Sequence, residues 1–141
     1  MSNDFDLALG DAASSGVYQV APGDLDALAA LARDAGLRIC RIDLRGCRDK
    51  RTLLLRLSAQ LDFPPGFGRN WDALSDALRD LSWLPAPGGY ALLFEDAAEL
   101  QAQAQPDFAT LLDILDEAAQ RWAGERLPFV CFLDLPGSAA A

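Results

Sequence analysis

"YALLFED", residues 90–96, decides the fold. Five consecutive apolar residues end in two acids. The run is far shorter than the roughly 18–20 apolar residues that a membrane span needs. It does not alternate, as a strand with one wet face would. A short, unbroken apolar run is what a strand shows when it lies inside a sheet and is covered on both faces. We read 90–96 as a central strand.

Downstream, residues 96–104 are expected to form a short helix. "PDFATLLDILDEAAQRWAG" (106–124) is the clearest helix in the chain. Phe108, Leu111, Leu112, Leu115, Ala119 and Trp122 form an i, i+3, i+4, i+7 stripe, and Asp113, Asp116, Glu117 and Gln120 lie off it. Gly124 suits the end of that helix. "LPFVCFLDL" (127–135) reads as a last strand. Upstream, "GVYQVA" (16–21) is β-like. The helix over 22–36 has Asp24 as its expected N-cap and Gly36 as its end. "LRICRIDL" (37–44) alternates as a strand does, and 49–61 is a helix capped by Asp49. The helix over 71–83 has Asn70 as its N-cap. Strands separated by helices require crossover connections, so the expected fold is α/β. It is a small, mainly parallel sheet of three or four strands with helices packed on it around a single core.

The chain has 141 residues, which suits one domain, placed at 16–135. Residues 1–15 and the tail 136–141 are expected to fray. The N-terminus has no basic segment followed by an apolar one, so neither a signal nor a transit peptide is expected, and a cytoplasmic location is. Cys40, Cys47 and Cys131 show no metal spacing. Cys40 and Cys131 are expected as buried free thiols. Cys47 follows Gly46 in a basic loop, where either a buried or an exposed thiol fits, and nothing beside it marks a nucleophile.

Histidine is absent and Lys50 is the only lysine. That removes Ser-His and Cys-His pairs, imidazole acid–base chemistry and nearly all zinc sites, and it leaves Schiff-base chemistry poorly supported. No phosphate-binding glycine loop is present. No cofactor, metal or catalytic residue is expected. An enzyme built on this chain would have to work with carboxylates held in opposed environments in one cleft, and the acids here read as exposed.

Charge is unevenly distributed. The net charge is −9, from 12 basic and 21 acidic residues. Residues 70–120 hold ten acids and one base, 1 − 10 = −9, so the remainder sums to zero. Within that remainder, residues 33–56 carry eight bases against three acids. An acidic field of this kind repels nucleic acid and attracts a basic partner, and it also simply aids solubility.

The acidic third opens on "GFGRNWDALSDAL" (66–78). Asp72 falls in the first helical turn, where the helix dipole favours a carboxylate by roughly 0.3–1 kcal/mol. Asp76 and Asp80 continue the row one turn apart, where like charges cost a few tenths of a kcal/mol. Trp71, Leu74, Ala77, Leu78 and Leu81 form the inward stripe. The acids then form an outward row with no base between them, which a docking cationic surface would favour. A solvated acidic face remains the plainer alternative.

The segment "PPGFGRNWDALSDAL" (64–78) resembles the motif of the barstar family, intracellular inhibitors of barnase-type ribonucleases. Its aromatic–Gly–x–Asn–x–Asp–Ala–Leu–x–Asp–x–Leu order is fairly specific. "RIDLRGCRDKRTLLLRLSAQL" (41–61), "YALLFEDAAEL" (90–100), "LLDILDEAA" (111–119) and "FVCFLDL" (129–135) are similar to the family's flanking elements, in the same order. The resemblance spans about residues 38–135 and leaves an extra strand and helix before it.

The resemblance implies a non-catalytic inhibitor that occludes a ribonuclease active site. The expected contacts are Gly66, Phe67, Gly68, Arg69, Asn70, Asp72, Ser75, Asp76, Asp80 and Glu117. Asp72 and Asp76 match the family's inhibitory aspartates, Glu117 a glutamate on the last helix, and Phe67 an aromatic of the binding loop. The expected partner is a basic, barnase-like extracellular ribonuclease or a related toxin, bound by a monomer, with neither nucleic acid nor membrane as partner. Three positions depart from the family. Gly66 and Ser75 stand where it has a contact tyrosine and tryptophan, and Arg69 stands where it has a glutamate. The cognate enzyme is therefore expected to differ from barnase. The alternative is an immunity or interaction protein for another basic partner.

Overall fold

The computed structural model describes residues 9–137. Among the described residues, four strands and five α-helices follow one another. They are β1 (Gly16–Val20), α1 (Leu25–Asp34), β2 (Arg38–Asp43), α2 (Lys50–Gln60), α3 (Trp71–Asp80), β3 (Tyr90–Glu95), α4 (Ala98–Gln103), α5 (Gln105–Gly124) and β4 (Phe129–Asp134). The strands form one sheet in the order β1-β4-β3-β2, and every pairing is parallel. The register sets Leu92 beside Cys40 on one flank and Cys131 on the other. β3 is therefore an inner strand, and five of its six residues are buried. The expected α/β fold with a parallel sheet is the one observed.

Strand side chains point alternately to the two faces, and the sheet divides the core into two clusters. Ile42, Leu92, Phe94, Phe129, Cys131 and Leu133 pack with Leu53, Leu54 and Leu57 of α2, Leu74 and Leu78 of α3, and Phe108, Leu111 and Leu115 of α5. On the opposite face Ala91, Leu93, Val130 and Phe132 pack with Leu25, Leu28, Ala29 and Ala32 of α1. The segment before residue 37 is thus integral. It adds β1 beyond β4 and covers a second apolar face with α1.

Several expectations need correction. Residues 9–15 are not frayed. Leu9 is buried at 3% exposure, Ala12–Ser14 form a 3-10 turn, and the Ser15 hydroxyl accepts from the Phe129 N–H at 3.0 Å. Residues 1–8 and 138–141 lie outside the described residues. Asp24 makes no capping bond, because Pro22–Asp24 form a 3-10 turn with helical backbone that runs directly into α1. Asp49 does cap α2, accepting from the Thr52 N–H at 2.8 Å. α3 stops at Asp80 rather than continuing to residue 83, because Leu81 adopts φ 50°, a left-handed conformation usually given to glycine at helix ends. The Leu81 side chain is almost fully buried, which offsets that conformation. Cys47 is fully buried, whereas Cys40, expected to be buried, is only half-buried because its strand lies at the edge of the sheet. All three thiols are free, and burial pushes each one up from its ordinary pKa, Cys131 furthest.

Candidate protein-binding site

The site begins with a turn. Gly66 has φ +93°, a conformation that disfavours a side chain, and a Cβ there would meet nothing. Arg69 also lies in the left-handed region, at φ 53°, with its side chain in solvent. Between them Gly68 passes close to the helix start, where a Cβ would sit 3.1 Å from the Asn70 Nδ2. Asn70 holds both sides of this turn. Its Nδ2 donates to the Gly68 carbonyl at 3.2 Å, and its Oδ1 accepts from the Ala73 N–H at 2.8 Å. The cap and the loop are therefore one hydrogen-bonded unit, and it aims the first turn of α3.

α3 turns its apolar side inward as its periodicity dictates. Leu74, Leu78 and Leu81 are buried, and Trp71 and Ala77 are partly covered. Asp72, Asp76 and Asp80 are all exposed, and Ser75 is half-buried between the exposed and buried faces. Phe67 is half-buried at the turn. Its ring packs edge-on against Phe63, with centroids 4.7 Å apart, and Phe63 packs against Trp83 at 5.7 Å. The Trp83 indole N–H donates to the Leu61 carbonyl at 2.9 Å and locks the trio. Phe63 and Trp83 were not among the expected site residues. Aromatic residues flanking the turn on both sides were the available signal.

These elements enclose a groove of about 270 Å³. Pro64, Pro65, Gly66 and Phe67 form one wall, Asp76, Ala77 and Asp80 the other, and Trp83 closes it. The structure thus brings Gly66, Phe67, Asp76 and Asp80 together. Asp72 lies one turn before Asp76 and outside the groove. A second depression, of about 280 Å³, lies between α3 and α5 and is lined by Asp76, Arg79, Asp80 and Arg121. Glu117 is exposed on α5, one turn before Arg121, and lines neither hollow.

The acidic row does contain a base, contrary to expectation. The Arg79 guanidinium donates to Asp76 Oδ1 at 2.9 Å, and its Nε donates to the Ser75 carbonyl at 3.3 Å. The acidic third of the chain is also partly neutralised from outside. Glu95, Asp96 and Glu99 pair with Arg41, Arg45 and Arg48 of the basic segment. Asp72, Asp80, Asp113, Asp116 and Glu117 make no ion pair among the described residues. Of these, Asp80 lines both hollows, and Asp72, Asp113, Asp116 and Glu117 add exposed negative charge to α3 and α5 outside them.

The family pattern described as Barstar (barnase inhibitor) matches residues 37–134. The match runs from the residue before β2 to the last residue of β4. It includes the turn, α3 and α5, and it omits β1 and α1. A search of curated proteins finds no significant match. The chain belongs to the barstar family.

Proposed function

We propose that this protein is a non-catalytic inhibitor of a barnase-type ribonuclease and acts in the cytoplasm as a monomer. The observation that carries this reading is the capped Gly66–Asn70 turn, which sets the exposed carboxylates of Asp72, Asp76 and Asp80 along one side of α3. A ribonuclease holds RNA phosphate with arginine and lysine. A carboxylate occupies such a site well, because it accepts the same bidentate bonds from arginine that a phosphate does. The barnase–barstar pair itself sets the scale for such contacts, at several kcal/mol for single interfacial charges. Asp76 lies at the border of both hollows and takes the central role. Asp72 and Glu117 flank it.

Gly66 and Ser75 supply no aromatic anchor, and the groove beside Gly66 is open. The cognate enzyme therefore fills that groove with a side chain of its own. The second reading is an immunity or interaction protein for a different basic partner, and the departures Gly66, Arg69 and Ser75 in the turn and on α3 favour a target other than barnase. The test is to capture the binding partner with this protein as bait and assay its RNase activity at equimolar inhibitor. Suppressed activity that Asp76→Ala restores supports the inhibitor. Capture of a cationic protein without RNase activity supports the second reading.

A further inference from the structure

Arg79 is placed to oppose the docking that Asp76 is placed to promote. Its guanidinium occupies Asp76 Oδ1 at 2.9 Å and is tethered by its Nε to the Ser75 carbonyl at 3.3 Å. The pair is accessible, with side-chain exposures of 43% for Arg79 and 78% for Asp76. Arg121 of α5 lines the same depression and pairs with Glu125 at 3.6 Å. Two acids and two bases therefore line a hollow whose formal charge is 2 − 2 = 0. A partner that brings only cations must share Asp76 with Arg79, taking the other carboxylate oxygen, or displace it, and either way it meets like charge. Like-charge juxtaposition is how interfaces reject wrong partners.

We propose that Arg79, supported by Arg121, is a specificity-determining residue. It weakens binding to a wholly cationic surface and favours a partner that presents a carboxylate beside the cation taken by Asp76. The proposal rests on the inhibitor reading above. An exposed ion pair of this kind contributes little to folding, so its position matters more for recognition than for stability.

The test uses the full chain and catalytically inactivated barnase as a basic probe. Arg79→Gln should bind barnase about tenfold tighter than the unaltered chain, with a faster and more salt-sensitive association. Arg79→Lys should restore the weaker binding, because it keeps the charge. Adding Asp76→Asn to Arg79→Gln should abolish the gain. Thermal unfolding of each variant confirms that the fold is kept. An Arg79→Gln variant that binds barnase no better than the unaltered chain overturns the proposal. That result leaves the inhibitor reading intact if Asp76→Ala still releases the captured ribonuclease. Loss of the Asp76→Ala effect overturns both.

Discussion

The Trp122 indole N–H donates to the Leu78 carbonyl at 2.8 Å and ties α5 to the last turn of α3. The carbonyls of a final turn have no partner within their own helix. This bond satisfies one of them and also fixes the separation of the two acidic helices. Trp122→Phe should keep most of the packing and lose the bond. The expected cost is about 1 kcal/mol in urea unfolding. Affinity for the captured partner should fall as well, because the Asp76 and Glu117 carboxylates lose their fixed spacing.

Asp76→Ala should weaken partner binding by more than about 2 kcal/mol, and Asp72→Ala and Glu117→Ala by less. Isothermal titration against the captured ribonuclease measures all three. An unchanged affinity for Asp76→Ala would show that the family's contact does not operate here. Association should also slow as salt is raised, since the outward charge of α3 and α5 acts over a Debye length.

Asn70→Ala should reduce both stability and binding. Its Oδ1 is the N-cap of α3 and its Nδ2 holds the Gly68 carbonyl. Losing the cap costs about 1 kcal/mol. Asn70→Asp retains an acceptor for the Ala73 N–H and cannot donate to Gly68. It should recover stability more fully than binding, a difference that parallel unfolding and titration experiments would detect.

Asp134 should give the protein a distinctive acid response. It is 5% exposed, and its Oδ1 accepts from the Asp96 N–H at 2.7 Å. Burial raises its pKa, the N–H groups of Asp96 and Ala97 pull it down, and the charges of Asp96 and Glu95 push it up again. The net shift is upward, so the folded state binds the proton more tightly than the unfolded chain does. Its contribution therefore becomes more favourable as pH falls from neutral through the raised pKa. Asp134→Asn keeps an acceptor oxygen and removes the titration. The stability of the unaltered chain minus that of Asp134→Asn should rise on acidification, and paired urea titrations across that range would show it. Asp134→Ala should be destabilising at every pH, because it leaves the Asp96 N–H without a partner.

Leu28→Ala should cost roughly 2–5 kcal/mol, the range for removing a buried leucine from a packed core. Leu28 is 1% exposed and lies in the cluster between α1 and the sheet. A chain beginning at residue 37, where the family match begins, should expose Leu93, Val130 and Phe132 and aggregate, as light scattering would report.

Much of this could be read from residue order. The unbroken run 90–94 revealed an inner strand because burial on both faces leaves no room for alternation. Asn70 and Asp49 revealed their helix starts because capping is local. The end of α3 was hidden, since Leu81 takes a glycine-like conformation for the sake of its own burial. Asp24 misled because a 3-10 turn takes the place of a capped start. The Arg41–Glu95, Arg45–Asp96 and Arg48–Glu99 pairs depend on the β2–β3 register, so acids that look unpaired along the chain are paired across the sheet. Arg79 stands three residues after Asp76, an ion-pairing spacing on a helix, but the spacing alone does not show which acid it takes, Asp76 or its neighbour Asp80. Phe67 was recognised as aromatic, whereas its packing on Phe63 needed the turn to be seen in space.

The position of β1 also bears on how the protein is made. Among the described residues β1 pairs only with β4, which is the last of the four described strands to be synthesised. Synthesis is vectorial, and distant pairings must wait for the later partner. A nascent chain that has emerged as far as α5 already displays the whole recognition turn, yet its first strand has nothing to join. Until residues 129–134 emerge, the sheet has a gap where its second strand belongs. An interrupted translation product therefore carries the recognition motif without the platform that orients it.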